Sequence, residues 1–236
     1  MTFEADRLRV AVQRSGRLAA PTGELLRLAG MKLPPIAKTF WASVENFPAD
    51  ILLVRDDDIP ILISEGVCDL GIVGLNVVEE FGLGCNGAPL KVLRGLSFGE
   101  CRLTIAASKE AQYTSRRSLA GARIATSYPR LLRRFLLEAS VTAEIVRISG
   151  GVELAPRLGL APFICDLVAT GDTLRANGLQ ALETVLKSEA VLVRSAGGLS
   201  PAKEELSCLF LSSIDRALAA LASHTLDSDV MLMNLG

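Results

Sequence analysis

An acidic residue and a Thr-Gly-Asp-Thr turn stand close together in this chain, and together they can bind a sugar phosphate. The apolar run from Ile164 to Val168 is typical of a buried strand and contains Asp166; Thr170, Gly171, Asp172 and Thr173 come directly after it. Free backbone N–H groups and hydroxyls converge where a strand ends in such a turn at the start of a helix, and the helix dipole favours an anion there. A carboxylate beside this cradle can accept hydrogen bonds from a diol. The pattern therefore predicts a ribose 5-phosphate site.

The same residues also fit a purely structural role. Thr170 or Asp172 can cap the adjoining helix-like segment, from Leu174 to about Leu179, because both side chains accept hydrogen bonds from first-turn N–H groups. Short motifs of this kind often occur without a ligand, so the rest of the chain has to decide between the two interpretations.

Arginines stand at the ends of two predicted strands and are suited to phosphate oxygens. The alternating segment from Leu8 to Val12 leads into Arg14 and Arg17 on either side of Gly16, and the apolar segment from Asp50 to Val54 leads into Arg55. A guanidinium group makes forked hydrogen bonds that match phosphate geometry. The alternative for the first two arginines is a solvated basic turn.

Two further segments contain residues that can serve either structure or binding. Three Asp before Ile59-Pro60 fit the N-terminus of a helix better than a Mg²⁺ site, because metal ligands must converge rather than stand side by side. Gly71 and Gly74, in a short buried strand just after Asp69, permit close approach of a ligand or of a neighbouring strand. Asn76 is placed to cap the next helix.

Composition excludes several classes of protein. The chain has 236 residues, half of them hydrophobic, and a formal net charge of −1, so there is no overall positive field for nucleic acid. Five scattered cysteines predict a reducing cytoplasm rather than disulfides or zinc. Neither a signal peptide nor a run of membrane-spanning length is expected. The one histidine, His224, lies in a polar stretch, which makes histidine-based catalysis or metal binding improbable.

The order of predicted elements indicates an α/β protein with two doubly wound lobes and a double crossover. Residues 1–99 and 183–236 are assigned to lobe I, and residues 100–182, with a βαβαβ pattern and the Thr-Gly-Asp-Thr turn, to lobe II. A final amphipathic helix, about Lys203 to Ser223, is expected to pack on lobe I.

Ligands of such sheets bind at the carboxyl ends of the strands, and the segments around Arg14, Arg55, Gly71, Glu153 and Thr170 are all expected there. Type II periplasmic binding proteins share this architecture, so a non-catalytic ligand-binding or sensor module is the alternative to an enzyme.

Several segments, in order along residues 8–195, resemble the ATP phosphoribosyltransferase family. The similarity is strongest in the Thr-Gly-Asp-Thr turn and the helix after it, which together look like the phosphoribosyl-diphosphate loop of that family. The similar segments are Arg9–Leu18, Asp50–Pro60, Cys68–Gly74, Phe98–Leu103, Arg123–Pro129, Ser149–Leu160 and Asp166–Leu179.

The resemblance implies transfer of a phosphoribosyl group from phosphoribosyl diphosphate to N1 of ATP, with release of diphosphate, in the cytoplasm. The loop residues Thr170, Gly171, Asp172, Thr173 and Leu174 are expected to bind this substrate, with the 5-phosphate held by the turn. Asp166 is expected to bind the ribose diol. Mg²⁺ is expected on the diphosphate, held mostly by substrate oxygens and not by a protein metal site.

The resemblance also assigns the remaining residues. Arg14, Arg17 and Arg55 are expected to neutralise diphosphate or ATP phosphate, and Asp69, Gly71 and Glu153 to line the nucleotide side. The reaction needs positioning and charge neutralisation more than a proton-transferring group, which suits a chain without a useful histidine.

The chain departs from the family in three places. Position 14 is Arg where Lys is common, Lys38 and Thr39 stand where an Arg is usual, and Pro162-Phe163 replace smaller residues. The chain also ends before the C-terminal regulatory domain of the long form, so we expect the short, catalytic form. That form is expected to be a homo-oligomer and to associate with a regulatory subunit resembling histidyl-tRNA synthetase.

Overall fold

The chain forms two units, each built around its own β-sheet. A computed structural model describes residues 6–34, 40–84 and 90–233, with side chains described as far as residue 223. Unit 1 comprises residues 1–74, 87–99 and 190–236, and unit 2 comprises residues 75–86 and 100–189. In chain order the elements are β1 (Leu8–Gln13), α1 (Ala19–Leu28), β2 (Trp41–Ser43), β3 (Ala49–Val54), α2 (Asp58–Ser64), β4 (Leu70–Gly74), α3 (Leu75–Gly82), β5 (Leu90–Gly95), β6 (Cys101–Ser108), β7 (Arg123–Thr126), α4 (Pro129–Glu138), β8 (Glu144–Arg147), β9 (Phe163–Val168), α5 (Asp172–Ala176), β10 (Leu179–Ser188), β11 (Ala190–Ser195) and α6 (Pro201–Met233).

Unit 1 contains a six-stranded sheet in the order β2-β3-β1-β4-β11-β5. The central strands β3, β1 and β4 run parallel, whereas β2, β11 and β5 are antiparallel to their neighbours. The central strands are apolar and almost fully buried, because helices and loops cover both faces of a parallel sheet. Since these three strands are parallel, their carboxyl ends, at Gln13, Val54 and Gly74, lie at the same end of the sheet.

Unit 2 contains a five-stranded sheet in the order β10-β6-β9-β7-β8, of which β9, β7 and β8 are parallel. Alternation along β9 gives the sheet two buried faces with different side chains. Phe163 and Cys165 pack with α4 on one face. Ile164 and Val168 pack on the other face with Leu174 of α5. Asp166 alternates onto this second face, so the predicted diol-binding carboxylate and the turn lie on the same side of the sheet.

The division between the units differs from the predicted lobe boundaries. The helix α3 belongs to unit 2, because Asn76 is buried there and bonds with the hydroxyls of Ser188 and Tyr128. Asn76 therefore links α3 to other elements of unit 2 and does not cap the helix. The predicted boundary at residue 182 falls inside β10, which pairs with β6 as far as Ser188 and so keeps residues 183–189 in unit 2.

The strands β2 and β10 are absent from the sequence-based prediction. The residues of β2 form only a three-residue edge strand, which is too short to show alternation. In β10 the pattern is broken by two register irregularities, between Ala181 and Glu183 and between Thr184 and Leu186, so its period of two is lost. The three Asp around residue 57 lie at the start of α2, where acidic side chains suit the helix dipole, but Asp57 at the N-cap makes no side-chain capping hydrogen bond.

The long helix α6 is anchored to unit 1 through one apolar face. Phe210, Ile214 and Ala217 are buried in the unit 1 core with residues of α1 and β1. By length and composition alone, the helix from Pro201 to Ser223 is also apolar enough to cross a membrane, and 28% of an 18-residue stretch of it is buried. The sequence analysis did not expect this. Burial of one face against a sheet is what an amphipathic packing helix requires.

A buried ion pair fixes the start of α6. The Nζ atom of Lys203 lies 2.9 Å from both carboxylate oxygens of Asp69, at the amino end of β4. The N–H of Arg9 donates to the same carboxylate at 2.8 Å. Only 7% of the Asp69 side chain and 12% of the Lys203 side chain are exposed. This pair therefore links β4, β1 and α6 in a low-dielectric setting, where each charge depends on the other.

Replacing Asp69 by Ala is expected to lower the free energy of unfolding by roughly 3 kcal/mol or more, because it leaves the Lys203 ammonium buried without a partner. Equilibrium unfolding in urea measures the change. The matched control is Asp215→Ala, which removes the exposed partner of Arg94 and is expected to cost less than about 1 kcal/mol. Equal costs for the two variants would contradict the structural role of Asp69.

Candidate active site

The turn after β9 has a backbone that only glycine adopts without strain. Gly171 has a φ of +84°. A Cβ atom at this position would also lie 3.3 Å from Nη1 of Arg175. The chain thus reverses direction at Gly171 and enters α5, which has five residues. A helix of little more than one turn carries a weak dipole, so binding here depends on individual N–H groups more than on the helix as a whole.

Internal hydrogen bonds hold the turn in shape. The Thr170 hydroxyl and the Arg175 guanidinium both donate to the Asp172 carboxylate, and Arg175 also donates to the Thr170 carbonyl at 3.3 Å. The hydrogen bonds from Thr170 and Arg175 lower the pKa of Asp172, so this carboxylate stays ionised. Thr170 and Asp172 therefore shape the loop, which is a different role from direct contact with a phosphate.

Three N–H groups of the turn are left for a ligand. Among the described residues, the N–H groups of Gly171, Thr173 and Leu174 have no backbone or side-chain acceptor, and the exposed Thr173 hydroxyl has no partner. The Leu174 side chain is buried and anchors the turn to the sheet. A small cluster of donors of this kind is the arrangement that binds a phosphate group.

A second carboxylate acts on Asp166 from the short 3₁₀ turn Val152–Leu154. Burial raises the pKa of Asp166 to about 6; the negative charge of Glu153 acts in the same direction, and a hydrogen bond from the Leu167 N–H acts against both. That N–H lies 2.8 Å from Oδ1 of Asp166. The structure thus brings Asp166 and Glu153 together, as two half-buried carboxylates that can accept hydrogen bonds from hydroxyl groups.

In unit 1 the arginines after β1 and β3 lie side by side. Gln13 is in register with Val54, and the N–H of Arg14 donates to the Val54 carbonyl at 2.8 Å, so Arg14 and Arg55 are neighbours at the same sheet edge. Arg17 lies in the same turn. All three are exposed, and among the described residues none forms an ion pair. Unpaired arginines in a cluster attract phosphate groups.

Two contacts hold the arginine turn in place. Oε1 of Gln13 accepts a hydrogen bond from the Leu18 N–H at 2.9 Å, and Gly16 has a φ of +106° that permits the reversal. The Arg14 guanidinium lies 4.3 Å from the ring centroid of Phe40, which is 65% exposed. The sequence analysis did not predict a role for Phe40. The one available signal was its position directly before β2, a strand that the sequence pattern also failed to predict.

Two predicted nucleotide-binding residues have other roles. Asp69 precedes β4 and pairs with Lys203, so it lies at the opposite end of the parallel strands from Arg14 and Arg55. Gly71 lies inside β4 and not at its end. A Cβ atom there would come within 2.6 Å of Ile59 and 2.7 Å of Ile63 of α2. Gly71 therefore serves helix–sheet packing, and its expected position at a strand end is wrong.

The departures from the family pattern have separate outcomes. Lys38 and Thr39 lie outside the described residues. Phe163 is buried and its ring meets that of Tyr113 edge-on, with 6.5 Å between centroids, so the larger residue fills the core of unit 2.

Among the described residues, no group of three or more His, Cys, Asp or Glu side chains is arranged to hold a metal ion.

Comparisons with known proteins identify the family of this chain. The HisG family model, described as ATP phosphoribosyltransferase, matches residues 55–214. The chain is 48% identical over 214 residues to ATP phosphoribosyltransferase of Stenotrophomonas maltophilia (strain R551-3), covering 89% of this chain and 71% of that protein.

Solved structures share the fold. The ATP phosphoribosyl transferase (HisG:HisZ) complex from Thermotoga maritima superposes with a TM-score of 0.75 at 23% identity, covering 90% of this chain and 99% of that one. The periplasmic aliphatic sulphonate binding protein SsuA from Escherichia coli has a TM-score of 0.59 at 16% identity, covering 98% of this chain and 79% of that one.

The fold therefore places the chain in the class of two-lobe α/β proteins that includes type II periplasmic binding proteins, as predicted from its sequence. Within that class, the chain belongs to the HisG family of ATP phosphoribosyltransferases. It is a transferase that moves a phosphoribosyl group to N1 of ATP in the first step of histidine biosynthesis, and the alternative of a non-catalytic binding module is set aside.

Lowering the pH through about 6 is expected to reduce kcat/KM for phosphoribosyl diphosphate, approaching tenfold per unit, because Asp166 becomes protonated and loses acceptor capacity. The substrate phosphate titrates in the same range, so a variant has to separate the two effects. Glu153→Gln removes one charge that raises the Asp166 pKa and should move the enzyme's acid limb to lower pH. An acid limb unmoved by both Glu153→Gln and Asp166→Asn would contradict this assignment.

Replacing Phe40 by Leu is expected to reduce kcat/KM about two- to fivefold, because an exposed cation–π contact contributes about 0.5–1 kcal/mol to holding Arg14. Phe40→Tyr keeps the ring and should keep the activity. Steady-state kinetics in an Arg14→Gln background provides the control, since Phe40→Leu should have no further effect there. The same loss in both backgrounds would show that Phe40 does not act through Arg14.

Proposed function

We propose that unit 2 binds the phosphoribosyl donor through the turn after β9 and the Asp166 carboxylate. The observation that carries this proposal is the set of unused N–H groups at Gly171, Thr173 and Leu174, beside the Thr173 hydroxyl. These donors match the oxygens of a 5-phosphate. The carboxylates of Asp166 and Glu153 match the ribose hydroxyls, because a carboxylate accepts hydrogen bonds without donating any.

The arginines of unit 1 are proposed to act on the polyphosphate groups. In the reaction, N1 of ATP donates its electron pair to C1 of the ribose while the bond from C1 to the diphosphate oxygen breaks, and diphosphate leaves with that electron pair. Positive charge builds up on the sugar and negative charge on the leaving group. Arg14, Arg17 and Arg55 can neutralise the latter because no described carboxylate occupies them.

Mg²⁺ is proposed to enter as part of the substrate, bound to diphosphate oxygens. Arg14, Arg17 and Arg55 are proposed to contact the oxygens of such a complex. The ion supplies further neutralisation of the leaving group. Removing Mg²⁺ with a chelator should therefore abolish turnover while leaving the protein folded.

The proposed setting is the cytoplasm, where ATP and phosphoribosyl diphosphate are available. We also propose a homo-oligomer that associates with a regulatory subunit resembling histidyl-tRNA synthetase. The support for this partner is the HisG:HisZ complex of Thermotoga maritima, which has the same fold as this chain.

The defining experiment mixes the purified chain with ATP, phosphoribosyl diphosphate and Mg²⁺, alone and with a candidate regulatory subunit. Release of diphosphate, together with a new absorbance from N1-substituted adenine, would support the proposal. Full folding without turnover in either condition would contradict it.

Thr173→Ala is expected to raise KM for phosphoribosyl diphosphate about tenfold, because it removes a donor to a charged phosphate.

Arg55→Gln is expected to lower kcat more than it raises KM, because charge develops on the leaving group only as the bond breaks. Steady-state kinetics measures both. The controls are Thr142→Ala and Arg216→Gln, exposed residues of the same type elsewhere, which should stay within twofold of the parent.

A further inference from the structure

Two cations lie directly opposite each other in the unit 2 sheet. Arg102 of β6 is in register with Lys187 of β10 on one side and with Val168 of β9 on the other. Residues paired in an antiparallel sheet project from the same face, with their Cβ atoms about 5 Å apart. Both Arg102 and Lys187 are exposed. The sheet thus holds two positive charges next to each other.

This face of the sheet also carries the proposed donor site. Two residues along β6 from Arg102, Thr104 is in register with Asp166. Val168, the partner of Arg102, packs with Leu174 of the turn. The two cations therefore share a face with the diol-binding carboxylate and with the base of the phosphate loop.

Neither cation of this pair forms an ion pair with a described carboxylate. Like charges directly opposite each other in a sheet destabilise it, and among the described residues neither Arg102 nor Lys187 forms an ion pair. The same sheet pairs opposite charges elsewhere, since Arg123 is in register with Glu144 and bonds to it at 3.1 Å. An unneutralised cross-strand pair next to an anion loop indicates that the missing counterion comes from a ligand.

There is space for such a ligand at this place. A cavity of about 550 Å³ is bordered by Arg102, Lys187, Ser188 and Ala169, the last being the first residue of the loop after β9. Glu100 and Glu189 also border the cavity, so an anion bound in it must be held close to the two cations to overcome their repulsion.

The phosphate loop needs an additional positive charge. The cation of the loop itself, Arg175, is tied to Asp172, which leaves the pair with no net charge. The unused N–H groups are neutral, and the five-residue α5 has a weak dipole. A phosphate carries close to two negative charges at neutral pH. A cation from outside the loop would therefore strengthen the binding of this phosphate.

We infer that Arg102 and Lys187 form a phosphate-binding patch that holds phosphoryl oxygens of the phosphoribosyl donor beside the loop. This inference rests on the proposed function of unit 2 and adds two residues to it. The recognised group is either the 5-phosphate or the diphosphate of the donor, and these two sources share the same oxyanion chemistry.

The test titrates the full chain with ribose 5-phosphate, and separately with Mg²⁺-diphosphate, by calorimetry. Arg102→Gln and Lys187→Glu should weaken binding of at least one ligand about tenfold, since each removes a charged contact to phosphate. Loss confined to ribose 5-phosphate assigns the patch to the 5-phosphate, and loss confined to diphosphate assigns it to the leaving group. The matched control is Arg117→Gln, an exposed and unpaired cation of the same unit, which should change neither affinity by more than twofold.

Lys187→Glu also separates ligand binding from folding. The new carboxylate faces Arg102 across the strands. The urea midpoint of this variant should therefore equal or exceed that of the parent, while its affinity for the phosphate ligand falls. Lys187→Gln serves as a second variant if Lys187→Glu does not fold. If the parent chain is active and the folded variants keep their affinity for both ligands, the patch is overturned and the proposed function is not. A parent chain that neither binds these ligands nor turns over would overturn the proposed function as well.

Discussion

Cations without counterions are the constraint on which both functional surfaces of this protein depend. The fold pairs several of its charges: Asp69 with Lys203, Asp50 with Arg7, and Glu79 with Arg134. At the strand ends of unit 1 and at the cross-strand pair of unit 2 it does not. Holding like charges together costs stability, and a phosphate ligand recovers that cost on binding. In this proposal clustered, unpaired cations bind phosphate, whereas a buried pair such as Asp69 and Lys203 stabilises the fold.

A comparable cost to stability arises at Asp166, whose charge is negative. A carboxylate on a half-buried sheet position, near Glu153, is held with its pKa raised to about 6. In the folded state this disfavours ionisation, so the contribution of Asp166 to stability falls as pH rises from its ordinary pKa of 3.8 through 6. Hydroxyl donors from a sugar favour the ionised form and offset this cost. The position is therefore poor for stability and suited to binding a diol, as expected where function takes precedence over local consistency.

The sequence was informative where function depends on the end of a strand and uninformative where it depends on register. Arg14, Arg55 and the turn around Gly171 come after apolar runs, so their place at a sheet edge could be predicted from local pattern. The partners of Asp69 and Arg102 could not, because Lys203 and Lys187 are distant in sequence and come next to them only through α6 packing and β6–β10 pairing. Local pattern also does not separate the two ends of a strand as short as β4, so it did not show that Asp69 lies at the amino end.

The fold alone does not distinguish this enzyme from a binding protein. A sulphonate-binding protein and a histidine kinase sensor domain share the architecture, with TM-scores of 0.59 and 0.60. What a transferase needs beyond a binder is a set of charges that interact more strongly with the transition state than with the bound substrate. In the proposed mechanism, the free N–H groups at Gly171 and Thr173 hold a phosphate whose charge does not change during the reaction. The arginines at positions 14 and 55 are proposed to gain interaction energy as negative charge moves onto the leaving diphosphate, which is the property that a binding protein does not need.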